Sequence, residues 1–205
     1  ALPFDKELFS SGCTLDHVYF PTNAIVSLLY VMKDGTSTEI AVVGHEGVVG
    51  VSLIMGEPAM CSARVQSAGY GYRLQTKFLR DAFIQGGVLP QLLMRYTNAL
   101  FSQMAQNAVG RRHSSIEQNL CRWLLDRLDR CASNQLKVTQ ELISVMLGVR
   151  RESITAAAGK LQDEGLIHYR RGNITVIDRQ GLERQAGECY KVIKTHYQRL
   201  QETHN

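Results

Sequence analysis

No stretch of the chain approaches the roughly eighteen consecutive apolar residues that a membrane-spanning helix needs, so an integral membrane protein is not expected. No basic start followed by an apolar run resembles a signal peptide. The sequence opens at Ala1, not at an initiator methionine. Close cysteine pairs are absent too. The five cysteines stand at positions 13, 61, 121, 131 and 189, and the nearest two, Cys121 and Cys131, fit neither a C-x-x-C redox motif nor a zinc knuckle. Scattered thiols of this kind suit a reducing compartment, so a cytoplasmic protein with structural cysteines and no metal is expected. Among Cys13, His17, His45 and Glu46 no nucleophile, base and orienting group stand at a recognised spacing, and no glycine-rich phosphate loop precedes a helix. A non-enzyme without a bound cofactor is the expectation. Internal repeats and low-complexity tracts are missing as well.

What is present is an ordinary globular composition. The 205 residues are 44% hydrophobic and 20% charged, enough to bury a core, at a length between one domain and two. The formal charge is +4. Residues 1–112 carry nine Lys/Arg against eight Asp/Glu, and residues 113–205 carry fourteen against eleven. The surplus is small, but the basic residues of the second half include adjacent pairs, Arg150-Arg151 and Arg170-Arg171, with Arg111-Arg112 just before them. Paired guanidinium forks suit phosphate contact.

The texture of the chain changes near residue 75. Before it, short β-rich runs alternate with turn signals: His17–Phe20, Ala24–Met32, Thr38–Val43, Ala63–Gln66 and Tyr70–Leu74. Asp34-Gly35 between two of them is a hairpin signature, because glycine accepts the positive φ of a tight turn. Many short, closely spaced strands predict an antiparallel sandwich or barrel. Beyond it the period becomes helical. A short helix is predicted over Thr76–Ile84, ended by Gly86-Gly87. A long one follows from Leu89 to about Arg112, roughly 36 Å at about 1.5 Å per residue, with Pro90 in its first turn. Leu93, Tyr96, Leu100, Met104 and Asn107 recur on it at three or four residues. This stripe either covers the β domain or joins two subunits, and dimerisation is the sharper reading. Ser115 with Gln118 three residues on forms a capping-box pattern, so a further helix starts there and runs through Trp123 and Leu128. Gly110–Ser114 between the two helices reads as the hinge. The domains are accordingly 1–88, 89–112 and 113–205.

Residues 138–177 carry the chemistry. Thr139 is a candidate N-cap for a helix over Gln140–Leu147, Gly148 supplies a sharp turn, and a second helix begins near Arg150. In that second helix Ile154, Ala158 and Leu161 face inward, leaving Arg151, Glu152, Thr155 and Ala156 outside. A short helix, a glycine turn and a helix opening with arginines is a helix-turn-helix, whose second helix enters the major groove N-terminus first. Leu166–Arg170 and Ile174–Ile177 flank Arg171-Gly172-Asn173 as a basic wing. Arginine can donate two parallel hydrogen bonds to guanine, and glutamate can accept from cytosine.

The string T-x-E-x-x-x-x-x-L-G-V-x-R-E-S-I, from Thr139 to Ile154, resembles the C-terminal winged helix of the CRP/FNR regulators. The order of a β-roll, a long dimer helix and a winged helix is also theirs, so the resemblance spans essentially the whole chain. It implies an α+β fold with an N-terminal antiparallel β-roll like a cyclic-nucleotide-binding domain, a dimerisation helix and a C-terminal winged helix. It implies double-stranded DNA, a second copy of the chain and RNA polymerase as partners, and no membrane. Carried over by position, Arg151 and Glu152 match the base-reading pair, while Ser153 and Thr139 match phosphate-contact positions. Arg150, Thr155, Arg170 and Arg171 complete the expected DNA surface. The catabolite activator's third base-reading arginine corresponds to Ala156, so the operator is expected to differ from that protein's.

In the sensor half the chain departs from the pattern. Relatives that bind cyclic nucleotides carry Gly-Glu-Leu and then Arg-Ser-Ala or Arg-Thr-Ala. The matching places here are Gly50-Val51-Ser52 and Cys61-Ser62-Ala63, which lack both the carboxylate and the cation. Arg64 stands one residue late, on the opposite face of a strand. Met104 and Ala105 occupy the places of hydroxyls that meet the adenine. The expected effector pocket is therefore Gly50, Val51, Cys61, Ser62, Ala63 and Met104, without cyclic-nucleotide chemistry. Two further readings stand beside a ligand-gated regulator: a constitutive DNA-binding protein with a vestigial sensor, and a haem sensor using His17, His45 or Cys61 as axial ligands.

Overall fold

The computed structural model describes residues 1–14, 16–52 and 56–202. Nine strands and six helices are found among them. In the first half, β1 (Glu7–Phe9), β3 (Ile25–Val31), β4 (Ser37–Val43) and β5 (Ser62–Ser67) form an antiparallel sheet in the order β1-β5-β3-β4. A second sheet pairs β2 (His17–Pro21) with β6 (Gly71–Gln75). The two β2–β6 strands meet the loop before Gly50 through Tyr19 and Val49, whose backbones exchange bonds of 3.0 and 2.8 Å. Strand β3 is buried on both faces through Leu29, as a central strand covered on both sides should be, with Ser27 its one polar residue in that run. The turn between β3 and β4 holds Gly35 at φ 85, and the Asp34 carboxylate accepts from Thr36 N at 2.9 Å. The hairpin read from Asp34-Gly35 is formed as expected.

Helix α1 (Thr76–Gln85) leads at Gly86 and Gly87 into the long helix α2 (Val88–His113). The side of α2 that carries Leu93, Tyr96 and Leu100 closes the roll, packing with Val26, Leu28, Val43, Val48 and Val65. Asn107 belongs to the same face, its amide donating to Ile40 O at 3.1 Å. Met104 is half-buried beside it. The assignment of Leu93, Tyr96, Leu100, Met104 and Asn107 to a dimer seam is thereby corrected: this stripe covers the β-roll of its own chain. Gly47 is required by the same packing, because a Cβ there would lie 2.3 Å from the Tyr96 ring.

The break between α2 and α3 (Ile116–Leu128) is also narrower than Gly110–Ser114 suggested. Helix α2 runs on through His113, and only Ser114 and Ser115 leave helical geometry. Ser115 and Gln118 form the expected reciprocal cap, at 3.2 and 2.9 Å. Helix α3 is buried from Asn119 to Leu128, the mark of a central helix. Around it pack α4 (Gln140–Leu147), α5 (Arg151–Asp163), the small sheet β7-β9-β8 and α6 (Arg179–Gln201), with β7 at Gln135–Lys137, β8 at Ile167–Arg170 and β9 at Asn173–Val176.

Helix α6, which bends at Gly187 (φ 74), was not foreseen. Leu182, Ala186, Tyr190 and Ile193 bury its inner face. Its far end returns to the β-roll, where Tyr197 donates to Gln103 Oε1 at 3.3 Å and packs with Leu200 against the roll's core. None of the described helices is long and apolar enough to cross a membrane.

Two buried ion pairs join the halves. Glu39 of β4 holds Arg127 of α3, and also accepts from Ser27 Oγ. Glu46 holds Arg130 at 2.7 Å. The Arg127 guanidinium stacks 3.4 Å from the Trp123 ring centroid. Arg111 donates to Glu39 O, so this arginine joins domains and is not free for phosphate.

Candidate nucleic-acid interface

Helix α4 starts at Thr139, whose hydroxyl accepts from Leu142 N at 3.1 Å. It ends at Gly148, at φ 68 and ψ 37, where Val149 N reaches back to Ser144 O at 3.0 Å. A left-handed residue followed by this reach closes a helix economically, and only glycine takes it without strain. The chain then turns into α5, with Arg150 as its N-terminal flank in extended geometry. Ile154, Ala157, Ala158 and Leu161 anchor α5 in the core. Arg150, Arg151, Glu152, Thr155 and Ala156 are exposed, and Ser153 is half-buried.

Several contacts knit these residues into one surface. Arg151 Nε lies 3.9 Å from Glu141 Oε2, and the Thr155 hydroxyl donates to Gln140 Oε1 at 2.7 Å, which fixes the start of α5 over the start of α4. The wing reaches the same place from the other side. Arg170 pairs with Asn173, and Arg171 and Gly172 between them have φ of 47 and 77. Positive φ at both central residues is the tight hairpin turn whose twist matches the strands. Val138 N donates to Gly172 O at 2.8 Å, so the wing tip sits against Thr139. Of the eight positions expected to meet DNA, seven are exposed and Ser153 is half-buried. At the wing-side edge of this surface, Thr139 and Arg171 border a cleft of about 980 Å³ whose opposite wall includes Phe4, Asp5 and Gln66 of the β-roll.

Residues 118–185 match the Crp-like helix-turn-helix domain. Over that third of its length the chain is similar to the helix-turn-helix domain of Crp-like proteins. Likeness of fold extends over most of the chain. FixK2 from Bradyrhizobium japonicum superposes with a TM-score of 0.75 at 16% identity, over 91% of this chain and 96% of that one. A CRP-family transcriptional regulator from Thermus thermophilus gives 0.73 at 18% identity, over 90% and 95%. A second CRP/FNR-family regulator from the same organism gives 0.67 at 19%, over 90% and 96%. No curated protein sequence matches the chain.

The β-roll holds a cleft of about 560 Å³ between the strands, α1 and α2. Gly50, Val51, Cys61 and Met104 line it, as expected. Ser62 and Ala63 do not. Both are buried in β5, where the Ser62 hydroxyl accepts from Ser11 N at 3.0 Å, and this corrects their assignment to the pocket. Burial pushes the Cys61 thiol up to about 11, so the sulfur is uncharged at neutral pH. Arg64 is turned away and bonded to Asp5 and Glu7, each at 3.3 Å. The three candidate haem ligands line three different clefts: His17 near Arg80, His45 beside Arg130, and Cys61 in the roll.

Proposed function

We propose that the protein is a homodimer that reads a two-fold-symmetric DNA site through α5 and that its DNA affinity responds to a signal received in the β-roll. The observation that carries this reading is the continuous exposed surface of Thr139, Arg151, Glu152, Thr155, Arg170 and Arg171. Base-edge readers stand at the helix start, and phosphate contacts flank them on the wing and the α4 terminus.

The dimer seam lies on the outward face of α2. Met94, Asn98, Phe101, Ala105 and Ala108 are all exposed and recur alternately at four and three residues. That spacing is about 3.5 residues, the repeat of two helices packed along a shared seam. Met94 and Phe101 are 66% and 70% exposed in the single chain, an apolar strip that a second copy would cover. The buried pairs Glu39–Arg127 and Glu46–Arg130 supply a rigid route from roll to DNA-binding domain.

Selection of binding sites from random duplexes, followed by footprinting, tests the DNA reading. Recovery of an inverted repeat is the expected result, and recovery of no preferred sequence would sink it. Sedimentation tests the seam: wild type should run as a dimer, and Phe101→Asp as a folded monomer. A wild-type mass of one chain at micromolar concentration would exclude it.

A further inference from the structure

We infer that the cleft of the β-roll binds an uncharged, largely apolar small molecule, and that this ligand bridges the roll to the outward face of α2. This deepens the reading of the protein as a gated regulator and rests on it only for the gating.

The cleft, at about 560 Å³, falls within the roughly 300–1,000 Å³ typical of small-molecule sites. Its deepest walls include Leu28, Val48 and Ala59, each buried below the surface. A flat partner helix could not fill that depth, whereas a compact molecule could. Among the described lining residues none is charged. The polar groups are few, and one of them, the Thr97 hydroxyl, already donates to Leu93 O of its own helix at 2.7 Å. Asn98 and Ser52 remain for one or two hydrogen bonds that could orient a ligand. An anionic group entering here would give up its hydration with no cation to replace it. An apolar ligand faces no such loss; it would lie under Met60 at the mouth and meet Met94 and Phe101 along the edge that the proposed second copy covers. Methionine at the mouth suits this role because its unbranched thioether adapts to varied apolar shapes.

Leu93, Leu100 and Met104 reach the cleft from the inner side of α2, and Met94 and Phe101 from its outer side. An occupant therefore touches the packing against the roll and the proposed seam at once. Its arrival would shift the helix that sets the distance between two DNA-binding heads.

The test uses the full chain and two matched dyes. N-phenylnaphthylamine is neutral, and anilinonaphthalene sulfonate carries a fixed negative charge on a closely related ring system. The neutral dye should saturate near one per subunit at about micromolar affinity. Decanol should displace it, and cyclic AMP should not. The sulfonated dye should bind at least about tenfold more weakly. Val51→Asp and Met60→Glu should each weaken the neutral dye about tenfold or more. Met60 is so exposed that its charged variant leaves the fold intact, which guards against misfolding of the other.

Equal binding of both dyes, displacement by cyclic AMP, absence of saturable binding, or indifference to both variants would overturn the inference. A dye that binds as expected but leaves operator affinity unchanged would uphold the ligand class and refute the gating.

Discussion

Arg151 and Glu141, on the proposed DNA face, are 64% and 65% exposed and 3.9 Å apart, whereas Arg127 and Glu39, between the domains, are each 5% exposed and in direct contact. The same pair of residue types thus does two different jobs. An exposed pair at that distance contributes little to stability, so Arg151 can leave Glu141 for a base edge at small cost. A buried pair cannot be parted cheaply, because each charge has given up its water and depends on the other. The chain's exposed charges stay adjustable, available to the proposed DNA partner, while its buried charges hold domain against domain.

Removing one side of the fixed set should produce the largest effect. Glu39→Ala leaves Arg127 buried without its carboxylate and should cost about 3–5 kcal/mol in urea unfolding. Trp123, the single tryptophan, lies under the Arg127 guanidinium, so its fluorescence reports the change directly. A loss below about 1 kcal/mol would mean that the pair behaves like a surface pair after all.

On the adjustable side, Arg151→Ala should cost about 1–3 kcal/mol on the selected site and relax preference at one base pair per half-site. Arg171→Ala should weaken all duplexes similarly and flatten the salt dependence, as loss of a phosphate contact does. Gel-shift titrations over a range of salt would separate the two. If the two variants behaved alike, the division between base reading and phosphate contact would be wrong.

Asp126 gives a smaller effect with a definite sign. Burial raises its carboxyl from 3.8 to about 6, against the pull of Arg130, Arg122 and Arg127. The folded chain therefore prefers the protonated form. This contribution is fully present below the unfolded value and is lost as pH rises through about 6. Between pH 5 and 7 the wild type should lose about 1 kcal/mol more than Asp126→Asn, measured by denaturant unfolding at both values. Parallel pH curves would remove Asp126 from the account.

The smallest effect concerns the wing. Arg171 holds φ of 47, a region where a side chain is strained, so Arg171→Gly should gain under about 1 kcal/mol of stability while still weakening DNA binding. Opposite signs in the two measurements would show that the arginine is kept for its charge.

The winged helix was legible in the sequence because its signals are local. Thr139, Gly148 and the Arg171-Gly172 turn each act within a few residues, and the structure places them as read. The hairpin at Asp34-Gly35 and the cap at Ser115 were readable for the same reason. The choice of face on α2 was not local. Leu93, Tyr96 and Leu100 announce a buried stripe, but periodicity does not say what buries it. The outward stripe is harder to see, because Ala105 and Ala108 are small and Asn98 is polar. Glu39 and Arg127 lie 88 positions apart, and nothing in either neighbourhood marks them as partners. Helix α6 did carry a signal, in Leu182, Ala186, Tyr190 and Ile193 at intervals of four and three, with Asp178 as its cap.

The two breaks in the helical framework, at Ser114 and at Gly187, have a mechanical consequence. They lie in separate connections between the halves, and Gln118 touches the region of both: it caps at Ser115, and its amide nitrogen lies 3.8 Å from where a Cβ on Gly187 would stand. A body pivoted at two neighbouring points turns about the line through them, as a door turns on its pins. Turning the C-terminal half about that line would part Glu39–Arg127 and Glu46–Arg130, so the two buried pairs act as the latch on that door.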